Sequence, residues 1–365
     1  MNPLFSSHFE NYHSFLVQFI IMVSNTQIIF AKVPTTFPAE GEHMIVEKKE
    51  IDLDAEIPQG AILLKTLCLS VDPYMRGRMR DANTKSYSPA FPLNQPMNGH
   101  VMASVLKSNN DKFKVGDYVY GMSSFAEYAL IPEPYTAYLE VRNEAKDSGL
   151  PLTNYIGVLG MPGMTAYVGL IKFGKPKKGE SLYVSAASGA VGQLVGQIGK
   201  ILGLHVVGSA GSDEKVEYLK SIGFDGAFNY KTQDTKEAFA ELLPNGIDIY
   251  FENVGGKMLE DVIAHSNKFA RLVCCGMISQ YNTTEPYGVR NLIQIVAKSL
   301  EIRGFIVSDS PEMQEPFRKD MTKWLQDGLK YRESVAEGIE KTPQALIDVL
   351  RGKNFGKQVV KVADL

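Results

Sequence analysis

Between Gln27 and Leu139 the apolar positions come in short runs that turn residues keep interrupting. Ala61–Leu69, Val101–Val105 and Tyr118–Tyr120 are such runs, and Gly116-Asp117 marks one of the turns. No long stretch carries helical spacing, so this region predicts a small all-β barrel or sandwich. The pattern changes near Gly149. Asn154–Phe173 predicts a helix, despite Pro162 and its neighbouring glycines, and strands and helices then alternate. The predicted strands are Ser181–Val184, His205–Gly208, Gly226–Asn229, Ile247–Glu252, Arg271–Cys275 and Leu300–Phe305. The helices between them include Val191–Leu202, Asp213–Ile222, Thr235–Leu243, Lys257–His265 and Val289–Ala297, with Met313–Asp327 as a further one. Such alternation implies a parallel sheet with helices on both faces. The tail returns to a strand pattern at Gln358–Val362, which is expected to complete the N-terminal β-region. The predicted organisation is therefore a discontinuous β-domain, 22–155 with 330–365, around an α/β domain at 156–329.

A length of 365 residues agrees with two cores rather than one. With 44% hydrophobic and 22% charged residues the chain reads as soluble and globular. A net charge of −3 gives no reason to expect nucleic acid or an anionic membrane as partner. Three cysteines, of which Cys274 and Cys275 are adjacent, make neither a disulfide framework nor a Cys-x-x-Cys knuckle and point to a reducing, cytoplasmic setting. The apolar run Phe15–Val23 falls far short of the ~20 residues that span a bilayer. No Lys or Arg precedes Lys32, unlike a signal peptide or presequence. Residues 1–21 read as a dispensable extension, a start upstream of Met22, with a small peripheral helix as the rival reading.

The chemistry concentrates in Leu182-Tyr183-Val184-Ser185-Ala186-Ala187-Ser188-Gly189-Ala190-Val191-Gly192. A buried strand runs into a glycine turn and then a helix whose first residues are small. A dinucleotide pyrophosphate needs that combination, because the backbone must approach it closely and a helix N-terminus must offer free N–H groups. The motif lacks one glycine of the full fingerprint, and the strand–helix alternation after it supplies the missing context. NAD-binding folds place a carboxylate about 20 residues on, at the ribose 2′-hydroxyl. Here that count lands on Ser209 in Gly208-Ser209-Ala210-Gly211-Ser212. Asp213 and Glu214 come later, where they can cap the next helix, and Lys215 and Tyr230-Lys231 follow. Cations and hydroxyls without a carboxylate favour a 2′-phosphate, hence NADP(H).

Other chemistries lack their residues. There is no Gly-x-Ser-x-Gly elbow, no phosphate loop ending in Gly-Lys and no His-Glu-x-x-His. Three cysteines cannot build a structural zinc lobe, and Val101 follows Gly99-His100 where zinc alcohol dehydrogenases carry a glutamate. Cys68 is expected in the core and His100 hydrogen-bonded, with no metal site. Hydride transfer, carried out by the cofactor, is what remains.

Several segments then match one family in order and spacing across Met22–Leu365: Val71-Asp72-Pro73-Tyr74-Met75-Arg76, Met161–Tyr167, Ala186–Gly192, Ala210–Lys215, Phe228–Lys231, Glu252–Gly256 and Cys275–Ser279. The chain resembles the zinc-independent medium-chain dehydrogenases/reductases that include prostaglandin reductase and the NADP-dependent alkenal double-bond reductases. The resemblance implies a GroES-like β-domain joined to a Rossmann domain of doubly wound parallel sheet, with the site between them, and a homodimer. It implies NADPH-dependent reduction of the C=C bond of α,β-unsaturated aldehydes and ketones. Gly189, Ala190, Val191 and Gly192 would hold the pyrophosphate, and Lys215 and Tyr230 the 2′-phosphate. Asn253, Cys275, Gly276, Met277, Ile278, Ser279, Tyr281, Phe305, Ile306, Val307 and Asn354 would line the rest of the cofactor.

Hydride delivery to the β-carbon leaves an enolate, which needs a hydrogen-bond donor at oxygen and a proton at the α-carbon. A tyrosine serves both without a metal. Tyr281 is the first candidate and Tyr74, which also suits a pocket-shaping role, the second; the ribose hydroxyl or water are the alternative proton sources. One departure from the family is His100 and Met102, where small residues are expected, so the neighbouring pocket has its own shape. A quinone reductase of the same superfamily and a non-catalytic NADP-binding redox sensor remain the competing readings.

Overall fold

The computed structural model describes residues 22–364. The reading of residues 1–21 lies outside them.

The N-terminal part is built from β1 (Met22–Phe30), β2 (Met44–Asp52), β3 (Ile62–Ser70), the one-turn α1 (Met75–Arg78), β4 (Gln95–Pro96), β5 (Asn98–Ser108), β6 (Tyr118–Ser124), β7 (Tyr128–Ile131) and β8 (Leu139–Val141). The central part comprises α2 (Met161–Val168), β9 (Ser181–Val184), α3 (Gly192–Ile201), β10 (His205–Ala210), α4 (Asp213–Ser221), β11 (Gly226–Asn229) and α5 (Thr235–Leu242). It continues through β12 (Ile247–Glu252), α6 (Gly256–His265), β13 (Ser266–Cys274), α7 (Ile293–Lys298), β14 (Glu301–Gly304) and α8 (Gln314–Gln326). The chain then returns as β15 (Glu333–Glu337), α9 (Thr342–Leu350) and β16 (Lys357–Lys361).

The central sheet is parallel, in the order β11-β10-β9-β12-β13-β14. The chain first winds outward from β9 to β11 and then restarts on the other side at β12. That reversal leaves a crevice beyond the carboxyl ends of β9 and β12, where ligands of doubly wound sheets bind. β9 is buried along its whole length because helices cover both faces, which explains a run with no polar alternation. Helix α3 packs close on its surroundings because two of its glycines have no side chain; a Cβ on Gly196 would stand 1.9 Å from the Phe224 ring, and one on Gly199 2.7 Å from Leu182 of β9.

The β-domain holds a sheet β15-β16-β3-β5-β6-β8, with β7 also on β3, beside a smaller sheet β2-β1-β4. The returning strand β16 runs antiparallel to β3 and parallel to β15. One hydrophobic cluster continues from the Rossmann sheet face through Tyr155 and Ile156 to Cys68, Met102 and Val359 of the β-sheet. The cleft therefore has a shared packed floor.

Two helices differ from the pattern-based expectation. The stretch Asn154–Phe173 is broken: a 3₁₀ segment Leu152–Ile156 is followed by extended Gly160, α2, and then a π-helical turn at Gly169–Gly174. Pro162, which has no N–H to donate, starts α2 instead of sitting inside a longer helix. The helix predicted from Val289 begins only at Ile293. Glu260 holds the preceding segment, its side chain accepting from Arg290 N (2.8 Å) and its carbonyl from Asn291 Nδ2 (2.7 Å). Among the described residues no helix is long and apolar enough to cross a membrane.

Candidate active site

After β9 the chain turns at Ala186, which takes a left-handed φ of 47°. Ala187 N donates to Ser209 O (2.8 Å) and Gly189 N to Ala186 O (3.0 Å), so the loop folds back onto the end of β10. A Cβ on Gly192 would stand 2.6 Å from Ala186 O, which is why a glycine opens α3. The loop thus meets the N-terminus of a ten-residue helix, with the partial positive charge that suits a pyrophosphate. Gly356 N donates to Ser188 O (3.0 Å), so the returning tail is fastened to this loop.

At the end of β10 the Ser209 hydroxyl is buried against Tyr183 Oη (2.7 Å). Both nearby carboxylates are engaged: Asp213 accepts from Asn229 Nδ2 (2.8 Å), and Glu214 pairs with Arg332 (3.5 Å). The helix cap is Ser212, whose hydroxyl accepts from Lys215 N (3.4 Å), not Asp213 or Glu214. Gly211 leaves a recess in front of Tyr230 and Lys231; a Cβ there would touch Tyr230 Oη at 3.0 Å and the Lys231 side chain at 3.2 Å. Lys215 Nζ reaches across to Gly352 O (2.8 Å). Burial, and then the neighbouring Lys231 charge, hold the Lys215 ammonium below its ordinary pKa. Lys215 and Lys231, with no carboxylate within ion-pair distance among the described residues, beside a recess lined by hydroxyl and glycine fit the 2′-phosphate of NADP(H).

The opposite end is organised by Glu252, the fully buried last residue of β12. Its Oε1 accepts from Tyr250 Oη (2.7 Å), Val254 N (2.6 Å) and Gly255 N (2.8 Å), while Oε2 has no partner. Burial raises its pKa. Asn253 bonds back to Ser185 through both its backbone N–H (3.0 Å) and its side chain (2.8 Å), joining the β9 and β12 loops across the crevice. The loop after β13 docks on this frame, with Ile278 N on Asn253 O and Ser279 N on Val254 O, each at 3.0 Å. It presents Tyr281, whose hydroxyl oxygen accepts from Met277 N (3.2 Å). Burial pushes the Tyr281 phenol up to about 12, so it is neutral at physiological pH. No acceptor for its hydrogen is found among the described residues.

Many of these residues border one cavity of about 1390 Å³ between the domains. Its wall includes Gly189, Ala190, Val191, Gly192, Lys215, Tyr230, Asn253, Cys275, Gly276, Ile278, Ser279, Tyr281, Phe305, Ile306, Val307 and Asn354, with Tyr74 on the β-domain side. Tyr74 is also held neutral, first by burial and then by Asp72. Met277 is absent from the wall. Its side chain packs over Gly255 and joins the core beneath the sheet, so only its N–H acts on the site. The residue pattern had given no sign of Arg78, Tyr87 or Asn282, which also line the cavity. Arg78 is nearly buried and donates to Pro89 O, Asn98 O and Asn98 Oδ1.

Cys68 is buried in β3 as expected. His100 is not the hydrogen-bonded residue its surroundings suggested: its Nδ1 is buried without a partner, and the ring stacks on Tyr120 at 5.4 Å. Burial holds it neutral, and it lines the cavity beside Tyr74. Among the described residues no group of three or more His, Cys, Asp or Glu could hold a metal ion.

A GroES-like β-domain closing against a Rossmann sheet, with a dinucleotide cradle in the cleft, defines an oxidoreductase of medium-chain dehydrogenase/reductase architecture. Residues 26–138 match the family model described as the N-terminal domain of oxidoreductase, and residues 190–327 the one described as zinc-binding dehydrogenase. The NADP-dependent 2-alkenal reductase of Nicotiana tabacum is 45% identical over 346 residues, covering 93% of this chain and 98% of that protein. The NADPH-dependent curcumin reductase of Escherichia coli is 40% identical over 347 residues, covering 93% and 97%. Among solved structures, CurA of Vibrio vulnificus in complex with NADPH superposes with a TM-score of 0.83 at 40% identity, covering 93% of this chain and all of that one. The chain belongs to the NADP-dependent alkenal/curcumin reductase family of medium-chain dehydrogenases/reductases.

Proposed function

We propose that this protein reduces the C=C bond of α,β-unsaturated aldehydes and ketones with NADPH, residues 156–329 forming the NADP-binding domain and 22–155 with 330–365 the substrate domain, whose tail lends Asn354 to the cofactor. The observation that carries the reading is Tyr281: a half-buried, neutral phenol with an uncommitted hydrogen, on the cavity that also holds the 2′-phosphate recess. Bound NADPH supplies the hydride that adds to the β-carbon. The protein's part is to meet the charge that appears on the carbonyl oxygen. The Tyr281 hydroxyl donates to that oxygen and then gives its proton to the α-carbon of the enolate, the phenolate recovering a proton from solvent, while Met277 N–H fixes the orientation of the phenol. Tyr74 shapes the facing wall. The pyrophosphate lies along Gly189–Gly192, and Lys215 and Tyr230 hold the 2′-phosphate. Asn253, Cys275–Ser279, Phe305–Val307 and Asn354 surround the remainder, Met277 acting through its backbone only.

NADPH oxidation measured with an alkenal, an enone and a benzoquinone tests the reading. Turnover of the quinone alone would make it a quinone reductase, and turnover of none an NADP-binding sensor. Lys215→Ala is expected to raise KM for NADPH about 10–100-fold, the value of one charge-assisted hydrogen bond, and to leave KM for NADH unchanged. Equal effects on both cofactors would remove Lys215 from the 2′-phosphate.

The three free cysteines suit a reducing compartment, and we assign the protein to the cytoplasm. We further assign it as a homodimer. Among the described residues β14 is the sheet's outer strand and pairs only with β13, while Ile302 on it and Ile293 and Val296 of adjoining α7 are exposed. An open edge flanked by apolar side chains suits pairing with a second copy. Val296→Glu is expected to turn a dimer into monomer in light scattering; a wild-type monomer would overturn the assignment.

A further inference from the structure

Tyr281 stands at the start of a stretch without regular structure. After the short 3₁₀ turn Ile278–Gln280, no helix or strand forms until Ile293. The tyrosine is therefore located by individual bonds. Its N–H donates to Ile278 O (3.3 Å), and its hydroxyl accepts from Met277 N. Both of these lie within the same loop and move with it.

The third bond comes from the other domain. Arg76 Nε donates to the side-chain Oδ1 of Asn282 at 2.9 Å, across 206 positions of sequence. Arg76 stands two residues after Tyr74, and Asn282 directly follows Tyr281. The guanidinium is largely buried and has no carboxylate within ion-pair distance among the described residues. Its remaining bonds go to main-chain carbonyls of its own domain, Thr36 O (3.1 and 2.9 Å) and Pro34 O (3.2 Å). Those contacts fix the cation on the β-domain, so Asn282 Oδ1 is held by a rigid donor. Other cross-domain bonds, such as Gly356 N to Ser188 O and Lys215 Nζ to Gly352 O, fasten the returning tail to the cofactor loops and do not touch this loop.

We propose that Arg76 and Asn282 form a positioning pair that carries closure of the two domains onto Tyr281. The inference rests on Tyr281 as the donor to the substrate oxygen. With the pair made, the phenol is set relative to Tyr74 and the substrate wall. With it broken, the pyrophosphate turn, the 2′-phosphate recess and the bonds of Ile278 and Ser279 to Asn253 and Val254 stay in place, and the segment from Tyr281 onward loses its register.

Asn282→Ala is expected to lower kcat for an alkenal about tenfold, since small misplacement of a reacting group is costly, with the NADPH Kd changed less than about twofold. Asn282→Asp keeps an acceptor oxygen for Arg76 and is expected to recover kcat to within about threefold of wild type. In a Tyr281→Phe background Asn282→Ala is expected to cost less than about twofold more, because both act through one hydroxyl. Hydrogen–deuterium exchange on the NADP⁺-loaded protein reads the pair without turnover: amides of 281–287 are expected to exchange about tenfold faster in Asn282→Ala, and near the wild-type rate in Asn282→Asp. Unchanged exchange overturns the pair whatever the enzyme reduces. Faster exchange with unchanged kcat overturns its action on Tyr281. A wild-type protein that turns over no alkenal, but shows the exchange difference, overturns the reductase reading and retains the cross-domain tie.

Discussion

Tyr281→Phe is expected to lower kcat for alkenal reduction by roughly 10²-fold, with NADPH binding unchanged. The substitution removes one hydroxyl and keeps the ring, so packing in the loop is retained. What disappears is the donor that the proposed mechanism places where an enolate oxygen forms. Removing one such donor costs about 10²–10³-fold in other oxyanion sites. The lost N–H···O bond from Met277 is part of the effect but does not reach the substrate. The phenol's pKa adds a pH expectation. Burial raises it to about 12, and the protonated form is the active one, so its ionisation leaves kcat flat up to pH 9 and removes activity only as pH approaches that value. A Tyr281→Phe enzyme with wild-type kcat would assign the proton to water or to the ribose hydroxyl. An ionisation of this tyrosine near pH 8 would equally contradict the neutral-donor role.

Lys357→Met is expected to destabilise the fold by roughly 3–5 kcal/mol, the usual cost of leaving one partner of a buried ion pair alone. Lys357 and Asp72 are both more than nine-tenths buried, with Nζ 3.2 Å from Asp72 Oδ1. The ammonium also donates to Val71 O (2.8 Å) and Gln358 O (2.6 Å), and Asp72 accepts from the Ser70 hydroxyl (2.5 Å). Burial lowers the lysine's pKa and Asp72 opposes this, so the charge is sustained by its partner. Removing the lysine strands a carboxylate two residues from Tyr74, and the tail that holds Gly356 on Ser188 loosens with it. Urea denaturation measures the loss. Asp72→Asn combined with Lys357→Met is expected to recover part of it, because no buried charge is then unpaired. Additive losses in the double variant would mean that the two side chains stabilise independently.

Much of the architecture was legible in the residue pattern. The run Ser181–Val184, without polar alternation, marked a buried strand, and the glycine turn after it marked the dinucleotide loop. Where the pattern erred, a local partner competed with propensity. Pro162 restarted a helix within Asn154–Phe173, and Glu260 captured the backbone before Ile293. In the site, Met277 faces the core because Gly255 leaves room there for its side chain. His100 stacks on Tyr120 with one ring nitrogen unpartnered, a feature its position on β5 could not reveal.

The sequence by itself determined the class of elements, the dinucleotide turn and the absence of a carboxylate at Ser209. These depend on burial periodicity and backbone chemistry over a few neighbouring residues. The tertiary structure alone decided that Asn229 and Arg332 occupy Asp213 and Glu214, leaving the recess at Gly211 to cations and a hydroxyl. It alone brought Gly356 to Ser188, Lys357 to Asp72, and Arg76 to Asn282 beside Tyr281. Such pairs join residues far apart along the chain, and no local period encodes which of them strand order and domain closure will bring together.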